Sequence, residues 1–530
     1  MNLDNMNRRT FLSVAALVLG GAAAYGLWPV KRGPKNSNPR PKKPEFVPRL
    51  EDNLDAYSRR MARVYEKVLF QTKGRAIVNQ CRLISEDYGD FIQETSRRYG
   101  IPASKLEAMI LIESGGDPTA RSGSAYEKSG LCKILPETAR LFGLNVEIER
   151  SDVLTKQIDE FYVKREEGKI DDEHLKKVVS QLQEQRRQID DRFDPAKSID
   201  LMARYLRQRI DELGALDLAI WSYPAGNDNV ARAVYRFMSP TVPTKLDFHD
   251  NIPDDILKVG RWAKNSGLSL AQICYEVAQD KHPMTEAFLK SLKDKSPSYY
   301  FDVLAVERIF ETFRNNPADL LKTADAYNEV EISRIDDLEQ ELGWFRPDQK
   351  DRIYSDTDHL KKGYAKGWLV HFPDDVKVFG FSVDKDPIAG IGVNDSDNAE
   401  LYQGASKAVA GMLMYLGHEL RGKSKVLVTS GVRTPKYQAT LGSSKHSTHV
   451  FGCGTDIGYA ALSYEEYSNL NKQLSKMQKI GLTCYTLKEG DHFHIAINPE
   501  AENLFEKVYD QGLKHYVALK GKSWNVGLLK

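Results

Sequence analysis

The beginning of the chain divides by hydrophobicity into an apolar run and a polar, proline-rich stretch. Residues 12–28 are apolar and rich in Ala and Gly, and the basic pair Arg8-Arg9 precedes them. A basic end, an apolar run and small residues at 22–24 are typical of an export signal. The run of 17 residues from Leu12 to Trp28 is also at the short limit for a membrane span. Residues 1–30 are therefore predicted to be an export signal or a membrane anchor.

The stretch that follows the apolar run contains almost no apolar residues. Residues 29–48 are rich in Pro, Lys and Arg, a composition that favours an extended tether. We predict a tether over 31–75 and interpret it as a solvated spacer, with contact of its charge with an anionic membrane face or wall polymer as the alternative. The Arg-Arg-x-Phe-Leu order at residues 8–12 resembles a twin-arginine signal, which exports folded proteins. The expected location is the periplasm or the cell envelope.

The next strong pattern is a short apolar helix that ends at two glycines. Ser104 and Glu107 have the spacing of a capping box, residues 109–112 are apolar, and Gly115-Gly116 is typical of a helix end. The pattern places Glu113 in the last helical turn. The negative end of the helix dipole and apolar neighbours both disfavour a charged carboxylate. A protonated carboxyl group of this kind is what a general acid requires.

Residues 146–188 form a highly charged segment that carries a helical pattern. Its apolar residues recur at helical spacings: Leu154, Ile158, Phe161, Ile170, Leu175 and Val179. This spacing predicts one or two charged helices inserted into the surrounding domain. The insertion is interpreted as a solvated structural element, with a partner-docking arm as the alternative.

The C-terminal half has shorter, strand-like apolar runs. Two of them, at 368–372 and 376–381, lie in a predicted connector over 326–395. A further domain is predicted over 396–500. A tail follows over 501–530; it has a helical pattern over 501–512 and carries no chemical signal.

Composition narrows the possible functions. A chain of 530 residues is too long for one core, so two to four domains are expected. The formal charge of +1 gives no basic excess to neutralise phosphates, which argues against nucleic acid as a partner. The five cysteines have no CxxC spacing, so no disulfide framework and no cysteine metal site is indicated.

Two histidines and an aspartate near the C-terminus have the character of a zinc site. His449 and Asp456 lie seven residues apart, and His494 follows Asp491 at a spacing of three. Zinc binds imidazole nitrogen and carboxylate oxygen, and a catalytic site leaves one position for water. A neighbouring carboxylate then carries the proton. His449, Asp456 and His494 are predicted to bind Zn, with Asp491 as the base.

These residues match a family pattern. Ser-x-His-x-x-Gly-x-x-x-Asp at 447–456, followed by Asp-x-x-His at 491–494, resembles the zinc D-alanyl-D-alanine peptidases of bacterial cell walls. The strand and Ser-Gly-x-Arg segment at 426–433 also resembles that family. The resemblance implies that Arg433 faces the oxyanion or the substrate carboxylate. Ser447 is expected to shape the loop or contact substrate.

The helix that carries Glu113 leads to a second resemblance. Ile-Glu-Ser-Gly-x-Asp-Pro-x-Ala at 112–120 is similar to the signature of the soluble lytic transglycosylases. Matching segments follow in order at 130–139, 192–206, 219–230 and 299–317. The resemblance implies a lysozyme-like helical domain in which Glu113 is the sole catalytic acid, and it places Ser114 and Tyr223 at the substrate. The reaction would cut the MurNAc–GlcNAc bond without water and leave a 1,6-anhydro product.

The two resemblances together predict a multidomain enzyme that acts on peptidoglycan glycan strands and stem peptides. An α-helical lysozyme-like domain over 76–325 would precede an α+β zinc peptidase domain. Lys133 replaces the family's usual Gln, and Pro224 replaces an Asn beside the supporting tyrosine. Two alternatives therefore stay open: the helical domain only binds the wall, or the protein is a non-catalytic envelope scaffold.

Overall fold

The computed structural model describes residues 45–238, 252–293, 297–328, 354–372, 375–384, 400–440, 447–487 and 491–521. The predicted export segment at 1–30 and residues 31–44 of the predicted tether lie outside these ranges. So does most of the predicted connector. None of the helices within these ranges is long and apolar enough to cross a membrane.

Helices make up the described residues from 54 to 328. They are α1 (Leu54–Lys73), α2 (Ala76–Asp87), α3 (Gly89–Tyr99), α4 (Ala103–Glu113), α5 (Pro136–Leu141), α6 (Ile148–Glu166), α7 (Asp172–Ile189), α8 (Pro195–Leu213), α9 (Leu216–Ala225), α10 (Asn227–Met238), α11 (Ile252–Ser266), α12 (Leu270–Ala278), α13 (Pro283–Ser291), α14 (Ser298–Asn315) and α15 (Pro317–Asn328).

Helix α4 lies at the centre of this helical unit. Its side chains from Leu106 to Leu111 are buried, and it packs against α14 and α3. A helix that is apolar on most sides must be surrounded by other elements, and α4 meets that condition. The predicted capping box is wrong, however. Pro102 precedes the first turn, Ser104 Oγ donates to Glu307 (2.6 Å), and Glu107 pairs with Arg314.

Residues of the predicted tether form part of the folded core. Helix α1 occupies residues 54–73, where the tether was expected to continue to 75. Asn53 caps it by accepting a hydrogen bond from the Ala56 amide (2.8 Å), and one face, including Tyr57 and Phe70, is buried. Three of its charged residues, Arg60, Glu66 and Lys67, are buried as well, so composition alone did not identify this segment as core.

The charged insertion consists of α6 and α7, which pack against each other. Both helices fall within the segment where the apolar spacing predicts them. The hairpin is joined to the helical unit through Ser151, whose hydroxyl donates to the buried Asp190 carboxylate (2.7 Å).

The C-terminal unit combines a mixed sheet with helices. Its helices are α16 (Thr357–Ala365), α17 (Lys407–Glu419), α18 (Pro435–Thr440), α19 (Tyr464–Lys479) and α20 (Glu502–Lys520). Its strands are β1 (Leu369–His371), β2 (Ser382–Val383), β3 (Gly404–Ser406), β4 (Leu427–Ser430), β5 (Gly454–Gly458), β6 (Thr483–Leu487) and β7 (His492–Ile497). The five-stranded sheet has the order β2-β4-β5-β7-β6, and β1 pairs with β3.

Segments on both sides of the predicted 396–500 domain belong to this unit. Strand β2, from the predicted connector, pairs in parallel with β4. Helix α20, from the predicted tail, packs along α17, where Gly411 lies against the backbone of Phe505. Both segments supply apolar side chains to the same core.

The helical and C-terminal units share a buried joint at helix α1. Arg60 is fully buried and forms a two-pronged ion pair with Asp52 (2.7 and 2.8 Å). Its Nε also donates to the Ile480 carbonyl (3.1 Å), and Asn498 Nδ2 donates to the Arg60 carbonyl (3.0 Å). Helix α1 packs against α14 as well, so it contributes to both units.

Candidate active sites

The first candidate site lies on one face of the central strands of the sheet. Asp456 of β5 stands directly opposite His494 of β7 in the antiparallel register. Directly opposed residues in such a pair project to the same face of the sheet. His449 reaches them from a 3₁₀ turn, Thr448–Phe451, that precedes β5. The fold thus brings together the three predicted metal ligands.

These three side chains are buried and in mutual contact. Asp456 Oδ1 lies 3.1 Å from His449 Nε2 and 2.9 Å from His494 Nδ1. The two imidazole nitrogens lie 3.1 Å apart. One ligand atom from each residue falls within 4.8 Å of the others. These three buried side chains could therefore hold a metal ion.

The hydrogen bonds of His449 determine which ring nitrogen carries the proton and which one presents a lone pair to the cluster. Its Nδ1 lies 2.6 Å from the Gly431 carbonyl, which can only accept. Nδ1 therefore carries the proton and Nε2 turns a lone pair toward Asp456 and His494. Burial, followed by the nearby Arg433 charge, lowers the pKa of His449 to about 3, so the ring is neutral at neutral pH.

Arg433 binds the carboxylate oxygen of Asp456 that does not contact the histidine nitrogens of the cluster. Its Nη2 donates to Asp456 Oδ2 (2.5 Å), and its Nε donates to Ser430 Oγ (2.7 Å). Burial acts to raise the pKa of Asp456, but His449 and Arg433 outweigh it and hold that pKa well below its usual range. Because His449 is neutral, Arg433 is the lasting positive charge. Its side chain is buried against Asp456, a predicted metal ligand, whereas the family resemblance implies a position toward the oxyanion or the substrate carboxylate.

Asp491, the predicted base, lies at the solvent-exposed edge of this cluster. Its carboxylate is 68% exposed and contacts His492 Nδ1 (2.5 Å). The Nε2 atom of the same His492 lies 3.7 Å from Asp456 Oδ2. His492 therefore stands between the exposed carboxylate and the buried one. From the sequence, His492 was expected to lie behind the ligands or to face substrate, without an assigned role. Its spacing of two from His494 on one strand, which places both on the same face, was the available signal.

Ser447 shapes the turn that presents His449. Its hydroxyl accepts from the His449 amide (3.4 Å) and caps the 3₁₀ turn. A further hydroxyl, that of Thr448, lies 3.0 Å from His494 Nε2. The Thr448 contact holds the ring of His494, as the Gly431 carbonyl holds the ring of His449; metal-binding histidines commonly have such an outer hydrogen bond.

The chemistry of this donor set fits zinc. Two imidazoles and one carboxylate are ligands that catalytic zinc sites use. The lone pair on His449 Nε2 faces an anionic oxygen at 3.1 Å, an unfavourable contact that a shared cation relieves. His449, Asp456 and His494 are therefore the residues that would hold the metal.

The second candidate site surrounds the end of helix α4 in the helical unit. Glu113 is the last residue of this helix, and the glycines that follow have positive φ angles of 66° and 89°. Only glycine adopts such angles without strain, so the chain turns sharply here. Tyr299, at the start of α14, donates from its hydroxyl to Glu113 Oε1 (2.7 Å).

Two tyrosines border Glu113. Burial, and secondly the Glu113 charge, raises the pKa of Tyr299 well above its ordinary value, so its hydroxyl keeps its proton. Burial likewise raises the pKa of Tyr223, with Cys132 and then Glu113 adding to the effect. Tyr223 donates to the Cys132 carbonyl (2.5 Å). The predicted residue Tyr223 therefore supports the loop beside Glu113, whereas the contribution of Tyr299 was missed.

Ser114 bonds to the backbone at the end of α4. Its hydroxyl donates to the Ile110 carbonyl (3.2 Å) and accepts from the Gly116 amide (3.1 Å). It thus stabilises the turn that follows Glu113. Pro224, the departure from the family pattern, lies inside α9, one residue before the helix ends. The helix tolerates it there because little of it remains to be interrupted.

The comparisons with known proteins identify one of these regions. Residues 90–157 and 170–241 match the family model of the transglycosylase SLT domain. The matched residues include Glu113 and Tyr223, and the unmatched interval, 158–169, falls within the α6–α7 insertion. The helical region is consistent with the lysozyme-like fold of that domain. The comparison with curated proteins found no match.

Proposed function

We propose that this protein is an exported enzyme that cleaves peptidoglycan in two ways. A lytic transglycosylase activity would act on the glycan strands, and a zinc peptidase activity would act on the stem peptides. The match to the transglycosylase SLT domain supports the first activity. The convergence of His449, Asp456 and His494 supports the second. Peptidoglycan lies outside the cytoplasm, which accords with the export segment expected at 1–30.

Glu113 is the proposed acid and base of the glycan reaction. As a carboxylic acid it donates its proton to the glycosidic oxygen, and the bond from that oxygen to C1 of the sugar breaks. The resulting carboxylate then takes the proton of the same sugar's 6-hydroxyl, whose oxygen closes on C1. The product is a 1,6-anhydro ring, and no water is consumed. The Tyr299 hydroxyl holds one carboxyl oxygen in place throughout (2.7 Å).

The proposed peptidase site uses residues of the sheet. His449, Asp456 and His494 would hold a zinc ion, which polarises a peptide carbonyl and acidifies water when bound. Arg433 orients Asp456, and Ser447 and Thr448 orient the histidines. Asp491 is the proposed base. It contacts His492 Nδ1 (2.5 Å), and the Nε2 atom of that ring lies 3.7 Å from the buried Asp456 carboxylate.

Product analysis on purified peptidoglycan tests the glycan activity. We expect anhydro-muropeptides from the wild-type protein and at least a hundredfold fewer from Glu113→Gln, because the acid is lost. Glu137→Gln, which changes an exposed glutamate of α5, is the matched control and should leave the yield unchanged. If no anhydro product forms even with wild type, the helical domain only binds the wall.

Metal analysis and peptide products test the other activity. We expect about one zinc per chain and loss of peptide cleavage after chelation or in His449→Ala. His359→Ala, which removes an exposed histidine of α16, should keep both metal and activity. A full-length protein that binds no zinc and releases no peptide product would contradict the peptidase proposal. If it also makes no anhydro product, the non-catalytic envelope scaffold is the better description.

A further inference from the structure

The loop of residues 129–134, beside Glu113, contains a lysine with an unusual backbone conformation. Backbone hydrogen bonds between Ser129 and Ile134 (2.9 and 3.1 Å) close a tight loop. Lys133 lies within it at a φ of 49°, in the left-handed region that disfavours side chains with a Cβ. Strained residues of this kind persist only where the surroundings hold them, and they are concentrated at functional sites.

A buried arginine holds this loop in place. Arg192 is fully buried, forms an ion pair with Asp190 (2.7 Å), and donates to three loop carbonyls, those of Ala125, Glu127 and Ile134 (2.8, 3.0 and 3.3 Å). The approach is so close that a Cβ on Gly130 would lie 1.8 Å from the Arg192 carbonyl oxygen. The position of Lys133 is therefore imposed by the core of the helical unit.

The ammonium group of Lys133 makes no hydrogen bond or ion pair with any residue in the described ranges, although the side chain is half-buried. Burial lowers the pKa of Lys133, while the Glu113 and Asp117 charges act in the opposite direction. The carbonyl of Cys132, the residue before Lys133, accepts a hydrogen bond from Tyr223, which borders Glu113. The positive charge therefore lies on the loop beside the proposed catalytic acid and can bind an anion. A neutral sugar hydroxyl uses such a charge poorly, whereas a carboxylate forms a strong charge-assisted hydrogen bond with it.

We propose that Lys133 binds a carboxylate of the glycan substrate beside Glu113, so that the cleft selects strands that carry an anionic group near the bond to be cut. This inference rests on the glycan-cleaving function proposed above. Such a carboxylate has two sources in peptidoglycan. One is the lactyl group of the sugar after its stem peptide is removed, and the other is the stem peptide itself.

The test compares three substrates with full-length wild type, Lys133→Gln and Lys133→Arg. They are strands with free lactyl carboxylates, the same strands with those carboxylates converted to methylamides, and strands that carry intact stem peptides. We expect Lys133→Gln to reduce kcat/KM for anhydro-product formation roughly tenfold on one carboxylate-bearing substrate. The substrate affected identifies the source of the carboxylate. Lys133→Arg keeps the charge and should keep the preference.

Two results would overturn the inference. One is an unchanged preference in Lys133→Gln. The other is an equal loss on the methylamide strands, which would mean that Lys133 acts on Glu113 or on the fold. Lys176→Gln, which removes an exposed lysine of α7, controls for the change in net charge and should match wild type.

Failure of the glycan-cleaving function itself is distinguishable from failure of this inference. Binding of the same strands to Glu113→Gln requires no cleavage. Glu113→Gln should bind the carboxylate-bearing strands more tightly than the methylamide strands, and adding Lys133→Gln should remove the difference. If the double variant keeps the difference, the anion site is not at Lys133, whatever the activity of the wild type.

Discussion

At the scale of single residues, the orientation of Asp456 depends on one arginine. Arg433 bonds simultaneously to Asp456 and Ser430, and a lysine cannot reproduce this two-pronged geometry. We expect Arg433→Lys to weaken zinc binding about 10- to 100-fold, the usual cost of losing an outer partner of a metal ligand. Competition with a chromogenic chelator measures the affinity. A variant with wild-type zinc affinity would mean that Asp456 needs no such support.

The hydroxyl of Tyr299 should matter for the glycan reaction. Tyr299→Phe keeps the ring and removes only the hydrogen bond to Glu113. We expect roughly tenfold slower formation of anhydro product, the equivalent of about 1.5 kcal/mol. Tyr300→Phe, the adjacent change on α14, is the control and should be neutral. Equal rates for Tyr299→Phe and wild type would exclude a supporting role for this bond.

A half-buried histidine makes stability depend on pH. The ring of His371 stacks on Tyr364 (4.0 Å between centroids), and burial lowers its pKa below the ordinary 6.5, with Glu400 acting weakly in the opposite direction. The unfolded chain then binds the proton more readily. The neutral His371 ring therefore contributes its full stabilisation above pH 6.5, and this stabilisation is lost as the pH falls through the lower pKa of the folded state.

The thermal midpoint of the wild type should therefore be lower at about pH 5.5 than at about pH 7.5. His371→Phe keeps a ring against Tyr364 but has no proton to bind, so its midpoint should fall less. If both proteins lose the same number of degrees, the pH dependence has another origin.

The residues of both sites differ in how far they could be predicted. Glu113 is fixed by a local signal, the glycine pair that ends its helix, and its place was predicted correctly. His449, Asp456 and His494 could be grouped because they match a family motif within one short stretch of the chain. Tyr299 could not be predicted as a partner of Glu113, because 186 residues separate them and only helix packing brings them together.

At the scale of elements, the contact between α17 and α20 depends on one glycine. A Cβ on Gly411 would lie 1.9 Å from the Phe505 carbonyl oxygen. Gly411→Ala must push the helices apart, and we expect a loss of about 1–3 kcal/mol in the free energy of unfolding. Gly89, at the first turn of α3, has no atom within 4 Å of its virtual Cβ. Gly89→Ala should therefore stay within about 1 kcal/mol of wild type.

Urea denaturation of both glycine variants distinguishes crowding from helix propensity. If Gly411→Ala were as stable as Gly89→Ala, the two helices would have to separate without cost. The same close contact explains why the tail was misjudged from sequence. Its helical pattern over 501–512 was recognised, but a long-range contact with α17 has no local signature.

At the scale of the whole molecule, α1 joins the two units through a buried charge. Arg60→Met leaves the Asp52 carboxylate, only 4% exposed, without its ion-pair partner. We expect a loss of about 3–5 kcal/mol, the usual cost of breaking a buried pair on one side. Arg59→Met is the matched control. Its arginine is 58% exposed and lies 3.8 Å from Glu500, so the expected loss is about 0–1 kcal/mol.

Urea midpoints of the two arginine variants test this joint. Equal midpoints would mean that Arg60 contributes no more than a surface arginine. The joint also limits what composition could predict. Residues 54–73 contain enough Arg and Lys to resemble the preceding tether, and only their burial against distant segments identifies them as core.

The same joint has a consequence for the timing of folding. The hydrogen bond from Arg60 to Ile480 connects positions 420 residues apart. At a synthesis rate of about 5–20 residues per second, Ile480 follows Arg60 out of the ribosome after roughly 20–80 s. During that interval the guanidinium of α1 has no Ile480 carbonyl to bond. The two units can therefore acquire this connection only when the chain is almost complete.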